Sequence, residues 1–289
     1  MHFVDAKGIL SAQNGMNLYR GCTHGCIYCD SRSRCYQINH AFEDIEIKVN
    51  APQLLEEALR RKRKRCMIGT GAMTDPYIPL EREVQNTRKC LELIDHYGFG
   101  LAIQTKSDLI LRDLDLLISI NQKAKCVVQI TLTTYDDDLC KLIEPNVCTT
   151  KERLRVLEIM RENEIPTIVW LSPILPFIND TEENILAILE ASRQAGVRGI
   201  LCFSCGMTLR EGNREYYYAQ LDKHFPGLKQ KYIQTYGNSY EVNSSRNREL
   251  MKLLHDFCYR YGMMHKVEEI FDYLHAFPEE DFEQMLLPF

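Results

Sequence analysis

The chain has 289 residues, a net charge of −5, 26% charged residues and 45% hydrophobic ones. That length suits two average domains or one α/β barrel, and the composition is ordinary for a globular protein. No run of about 18 apolar residues is present, which argues against a membrane-spanning helix. The opening MHFVDAKGIL has no basic stretch leading into an apolar one, so no secretory leader is expected. The chain is therefore expected in the cytoplasm, where thiols stay reduced. Its twelve cysteines then read as metal ligands, catalytic groups or core residues, not disulfides.

In chain order, the first strand is expected over residues 16–20. It runs into YRGCTHGCIYCD, which places Cys22, Cys26 and Cys29 within eight residues. A helix follows over 51–64, with Pro52 in its first turn and Leu54, Leu55, Ala58 and Leu59 at helical spacing. Strands are expected over 66–70, Gly100–Thr105, 126–133, 167–172 and 199–204, all short and mostly rich in apolar, β-branched residues. Helices are expected between them over 80–97, 109–120, 150–163 and 181–195. The first of these stops at Gly98, the third opens on the capping sequence TTKE, and the last stops at Gly196.

Strands alternating with helices of this length imply right-handed βαβ units and a parallel sheet. Six βα units are too few for a closed eight-stranded barrel. The expected fold is α/β, a partial (β/α)6 TIM-type barrel over residues 1–206. Residues 207–289 read as a helical C-terminal extension packed on it.

In parallel α/β folds the chemistry lies at the carboxyl ends of the strands. The three cysteines follow the first strand and so belong to that face. Gly21 and Gly25 let their loop turn tightly. Three thiolates suit an iron–sulfur cluster, and three on a four-iron cluster leave one iron open to a small molecule. A structural module without catalysis is the alternative, with zinc closed by Cys35 or His24 as fourth ligand.

The C-x3-C-x2-C spacing with Tyr28 before the last cysteine resembles the signature of the radical S-adenosylmethionine (radical SAM) superfamily. The resemblance implies a [4Fe–4S] cluster on Cys22, Cys26 and Cys29, with S-adenosyl-L-methionine bound at the open iron. It implies reductive cleavage to methionine and a 5′-deoxyadenosyl radical that takes hydrogen from a substrate. An external electron donor of flavodoxin or ferredoxin type follows as a partner. Three further stretches, GTGAMTDPYIPLE, IQTKSDLILRDLDLL and QITLTTYDDDLCKLIEP, resemble the spore photoproduct lyase-like branch. By that likeness Lys106 meets the cofactor carboxylate and Thr131 replaces a cofactor-contacting serine. Gly69, Thr70 and Gly71 offer backbone carbonyls to the methionine amine, and the Tyr28 backbone lies near the adenine.

The lyase carries a hydrogen-returning cysteine in the loop after the second strand, where this chain has Ala72, Met73, Thr74 and Asp75. Repair of a DNA photoproduct is therefore disfavoured. Of the pair in CFSC, Cys202 is expected in the core and Cys205 as an exposed catalytic thiol at the barrel mouth, since residues three apart in a strand face opposite ways. The basic run Arg60, Arg61, Lys62, Arg63, Lys64 and Arg65 falls at a helix C-terminus on the opposite face. Asp75, Glu81, Asp113, Glu144 and the aspartates at 136–138 make the active face acidic, which disfavours nucleic acid there. Arg210 and Arg214 are candidates for an anion, and Tyr216, Tyr217 and Tyr218 for helix packing.

Overall fold

The computed structural model describes residues 1–278. Six strands form one parallel sheet in sequential order: β1 (Gly15–Met16), β2 (Met67–Thr70), β3 (Gly100–Thr105), β4 (Cys126–Thr131), β5 (Thr167–Trp170) and β6 (Gly199–Leu201). Their connections carry five longer helices, α1 (Ala51–Arg61), α2 (Asn86–Tyr97), α3 (Leu114–Lys123), α4 (Thr150–Glu162) and α5 (Glu182–Gln194), and the short helices Glu81–Val84 and Asp137–Ile143. Every pairing is parallel, from Gly15 opposite Gly69 to Trp170 opposite Leu201. This is the partial barrel that the strand and helix alternation implies.

The outer face of the sheet carries Ile68, Leu101, Ile103, Val128, Ile130 and Val169, which pack under the helices in the main core. The inner face carries Met67, Ala102, Val127, Ile168 and Leu201. That two-sided burial is why the strands read as continuous apolar runs.

The open side of the barrel is lined by later chain. Met264 forms a parallel bridge with Gly199 beside β6. The helices α6 (Asn213–His224), α7 (Leu228–Tyr236), α8 (Asn247–Tyr261) and α9 (Val267–His275) make up most of the segment after β6. Ile270 and Leu274 of α9 pack on the inner face of the sheet.

Two expectations are corrected. The strand expected over 16–20 is two strands in different sheets. Gly15–Met16 joins the barrel, whereas Tyr19–Arg20 pairs antiparallel with Glu46–Lys48, which pairs in turn with His2–Val4. The helix expected over 80–97 is broken at Gln85, whose φ of 55° is left-handed, so Glu81–Val84 and α2 point in different directions.

Candidate active site

The cysteine loop leaves Tyr19–Arg20 through Gly21. At φ 84° a Cβ there would lie 2.4 Å from the Phe42 carbonyl oxygen, so only glycine fits. The loop is pinned from several directions. The Cys22 amide donates to Phe42 O at 3.0 Å, the Ile27 amide to Ile143 O at 3.0 Å, and the Asn146 amide to His24 O at 3.1 Å. The Ser31 hydroxyl donates to Met73 O at 2.8 Å. Cys22, Cys26 and Cys29 thereby line one cavity of about 110 Å³, with His24, Gly71, Asp75, Gln104, Lys106 and Thr131.

Burial pushes the Cys22 thiol up, reinforced by Cys26 and Cys29, and burial pushes Cys26 up to about 12. Thiols so crowded are stabilised as thiolates by a metal cation. Cys35 is exposed, lies off this cavity and accepts a hydrogen bond from Arg210, so it does not close the site as a fourth ligand.

The ends of the strands supply the rest. Gly71 has φ 103°, and a Cβ on it would lie 2.1 Å from the Gln104 carbonyl oxygen. Asp75 ties this loop to β3: Oδ1 accepts from the Thr105 hydroxyl at 2.7 Å and Oδ2 from the Lys106 amide at 2.8 Å. Among the described residues no hydrogen bond or ion pair engages the Lys106 ammonium. Burial alone would lower it, but Cys26, Glu144 and Asp75 outweigh burial and hold it protonated. An unpaired cation lining a cavity suits a carboxylate ligand. The Thr131 hydroxyl lies 3.4 Å from Gln104 Nε2 on the same wall.

Behind the cysteines runs a buried ionic strut. The Tyr28 hydroxyl donates to Glu144. Arg153 bonds Glu144 Oε2 at 2.5 Å and donates to Thr131 O at 3.0 Å and Cys148 O at 2.9 Å. Burial would raise Glu144, but Arg153 and Lys106 outweigh it and hold the carboxylate below its usual range. The sequence held one sign of this strut. Arg153 sits at helical spacing with Val156, Leu157 and Met160, a charge on the buried stripe of α4. Asp75, Gln104 and Glu144 as a linked set escaped sequence reading because their partners are far apart in the chain.

The expected residues divide. Cys22, Cys26, Cys29, Gly71, Lys106 and Thr131 share the cavity. Gly69 and Thr70 instead line a second cavity of about 310 Å³ inside the barrel, with Ala102, Gln129, Trp170, Phe271 and His275. Ala72 and Gln104 belong to both cavities and form the partition between them. The Tyr28 ring is buried toward Glu144.

Cys205 is corrected: it is fully buried and lines neither cavity. β6 ends at Leu201, so strand alternation does not govern residues 202–205. The Cys202 thiol donates to the Ser204 carbonyl oxygen at 3.5 Å, and both cysteines sit in the main core. The acidic mouth is corrected too. Glu81 and Asp113 are buried against Arg112, and Glu144 against Arg153. Arg210 reaches Tyr240 and Asp30, Arg214 caps backbone carbonyls, and Tyr217 packs in the core against Tyr232.

The sequence model of the Radical SAM superfamily matches residues 16–191. An uncharacterized protein of Mycobacterium tuberculosis is 28% identical over 232 residues, 76% of this chain, and the match spans 66% of that relative's length. An uncharacterized protein of Methanocaldococcus jannaschii is 32% identical over 62% of this chain and 67% of its own. The fold is similar to solved structures of spore photoproduct lyase. One variant superposes with a TM-score of 0.64 at 15% identity, covering 92% of this chain and 78% of the lyase. The lyase complexed with dinucleoside spore photoproduct gives 0.62 at 14% identity, covering 86% and 74%.

Proposed function

The chain belongs to the radical SAM superfamily, and from that premise we propose that it binds a [4Fe–4S] cluster and S-adenosylmethionine and performs hydrogen abstraction on a small substrate held inside the barrel. When bound and reduced by an external donor of flavodoxin or ferredoxin type, the cluster supplies the electron that splits S-adenosylmethionine into methionine and a 5′-deoxyadenosyl radical. The observation that carries this reading is the single cavity where three cysteines, an unpaired buried Lys106 ammonium and the Gly71 backbone converge. Cys22, Cys26 and Cys29 would hold the cluster and leave one iron for the cofactor. Lys106 would bind the cofactor carboxylate. Gly71 would let the cofactor approach the backbone, and the Thr131 hydroxyl would bond its polar edge.

The 310 Å³ cavity is the proposed substrate space, since it meets the cysteine cavity across Ala72 and Gln104. Its size suits a small molecule. No thiol other than the three cysteines lines either cavity among the described residues. A repair route that returns hydrogen from a protein thiol has none to use here, which disfavours lyase-type DNA repair.

The test is anaerobic purification followed by iron and sulfide analysis and an assay for 5′-deoxyadenosine with dithionite and S-adenosylmethionine. About four irons and four sulfides per chain and cofactor cleavage are expected. Cys26→Ala should lose both the iron and the cleavage. Zinc on the cysteines in place of iron and sulfide would refute the proposal.

A further inference from the structure

A second ligand set lies outside that cavity, at the edge of the small N-terminal sheet. Single donor atoms of His2, His40 and Asp44 all fall within 4.8 Å of one another. His2 Nδ1 is 3.0 Å from Asp44 Oδ2, and the two imidazoles meet edge to face with centroids 4.8 Å apart. The Met1 amine is 2.6 Å from Asp44 Oδ1. Glu46 Oε2 lies 3.8 Å from His40 Nε2 and adds a second carboxylate within reach.

The tautomer of the neutral His40 ring follows from its neighbours. Its Nδ1 is 3.0 Å from the Ala41 carbonyl oxygen. A carbonyl can only accept, so Nδ1 carries the proton and the neutral ring keeps its lone pair on Nε2. That Nε2 is buried and has no hydrogen-bond partner. A buried lone pair without a donor is costly. A metal-bound histidine usually has this arrangement, with the second nitrogen donating to a backbone carbonyl.

We propose that His2, His40 and Asp44 form a mononuclear site for a divalent first-row transition metal, with zinc the best fit. Two imidazoles and a carboxylate are ordinary zinc ligands, and Glu46 or water would complete four-coordination. The metal would displace the Met1 amine from Asp44. It would also fasten the His2–Val4 strand to the segment whose Phe42 carbonyl accepts the Cys22 amide. The site would therefore brace the cysteine loop from outside. This inference does not depend on what the cysteines hold.

The test counts metals in the full chain, purified anaerobically and supplied with zinc chloride. One zinc per chain is expected in addition to whatever iron is present. X-ray absorption should show nitrogen and oxygen neighbours near 2.0–2.1 Å and no sulfur shell near 2.3 Å. His40→Ala and Asp44→Asn should each weaken zinc binding by more than about 100-fold, since loss of even an outer-shell partner costs about 10–100-fold. Their iron content should stay at the wild-type level. Zinc bound with a sulfur shell and no nitrogen or oxygen shell would overturn the proposal, as would unchanged affinity in His40→Ala. Saturation only at millimolar zinc would mark an adventitious ion only and would also overturn it.

Discussion

Glu144 and Arg153 face each other at 2.5 Å with almost no solvent access, and Tyr28 hangs on the same carboxylate. Glu144→Gln leaves the guanidinium buried without its counter-charge. Breaking such a pair costs about 3–5 kcal/mol, so urea denaturation should show a midpoint lowered by that much stability. Folding lowers the Glu144 pKa, so its contribution is complete above the ordinary carboxylate pKa of about 4.3 and fades only as pH falls below it. The difference between wild type and variant should therefore stay flat from pH 5.5 to 8 and shrink in stronger acid. A difference that grows toward low pH would contradict the assignment. Gly71→Ala tests the other side of the cavity. At φ 103°, with the Gln104 carbonyl where its methyl would go, the loop must move. Backbone strain of this kind costs about 1–3 kcal/mol. Binding of S-adenosylmethionine to the reconstituted variant should weaken at least about tenfold by equilibrium dialysis, with iron content retained.

At the scale of the elements, α9 and the inner face of β3 and β4 bound the proposed substrate space. Ala102 faces this space, and a larger side chain there would fill it without touching the cysteine cavity. Ala102→Phe should therefore leave 5′-deoxyadenosine formation with dithionite within about threefold of wild type and abolish turnover of any substrate found. Such a readout separates cofactor cleavage from substrate binding. Loss of cleavage together with turnover would show that the two cavities are one binding unit. The barrel strands were legible because burial on both faces leaves a continuous apolar run that needs no distant partner to interpret. Lys106 was legible because it immediately follows such a run, and the cysteine loop because the spacing of its three thiols needs no distant partner to interpret. Elements whose placement depends on distant chain were not. Tyr19–Arg20 changes sheets because it pairs with Glu46–Lys48, and the CFSC thiols turn inward because β6 stops at Leu201. The Asp137–Ile143 helix, capped by the Asp136 side chain, was read only as a run of acids.

Across the whole molecule the cysteine loop acts as a hub. It takes hydrogen bonds from or gives them to Phe42, Met73, Ile143 and Asn146, and Asp30 just beyond it accepts from Thr208 and lies beside Arg210. These residues come from the N-terminal segment, the loop after β2, the chain before α4 and the region of the antiparallel pair Gly206–Thr208 with Glu241–Asn243. A ligand bound by the native loop alone stabilises the folded state by mass action, about 2.7 kcal/mol when present at 100 times its dissociation constant. For a chain of this size each kcal/mol moves the midpoint by about 1.6 °C. Removing the proposed cluster by anaerobic chelation should therefore lower Tm by about 4 °C or more. Because the loop joins segments from both ends of the barrel, the apo protein should still melt in one transition. Circular dichroism at 222 nm, which follows the helices, and the fluorescence of Trp170, the sole tryptophan, on β5 should report the same midpoint. Two separated transitions after chelation would mean that the cluster secures only its own loop and that the rest of the barrel folds without reference to it.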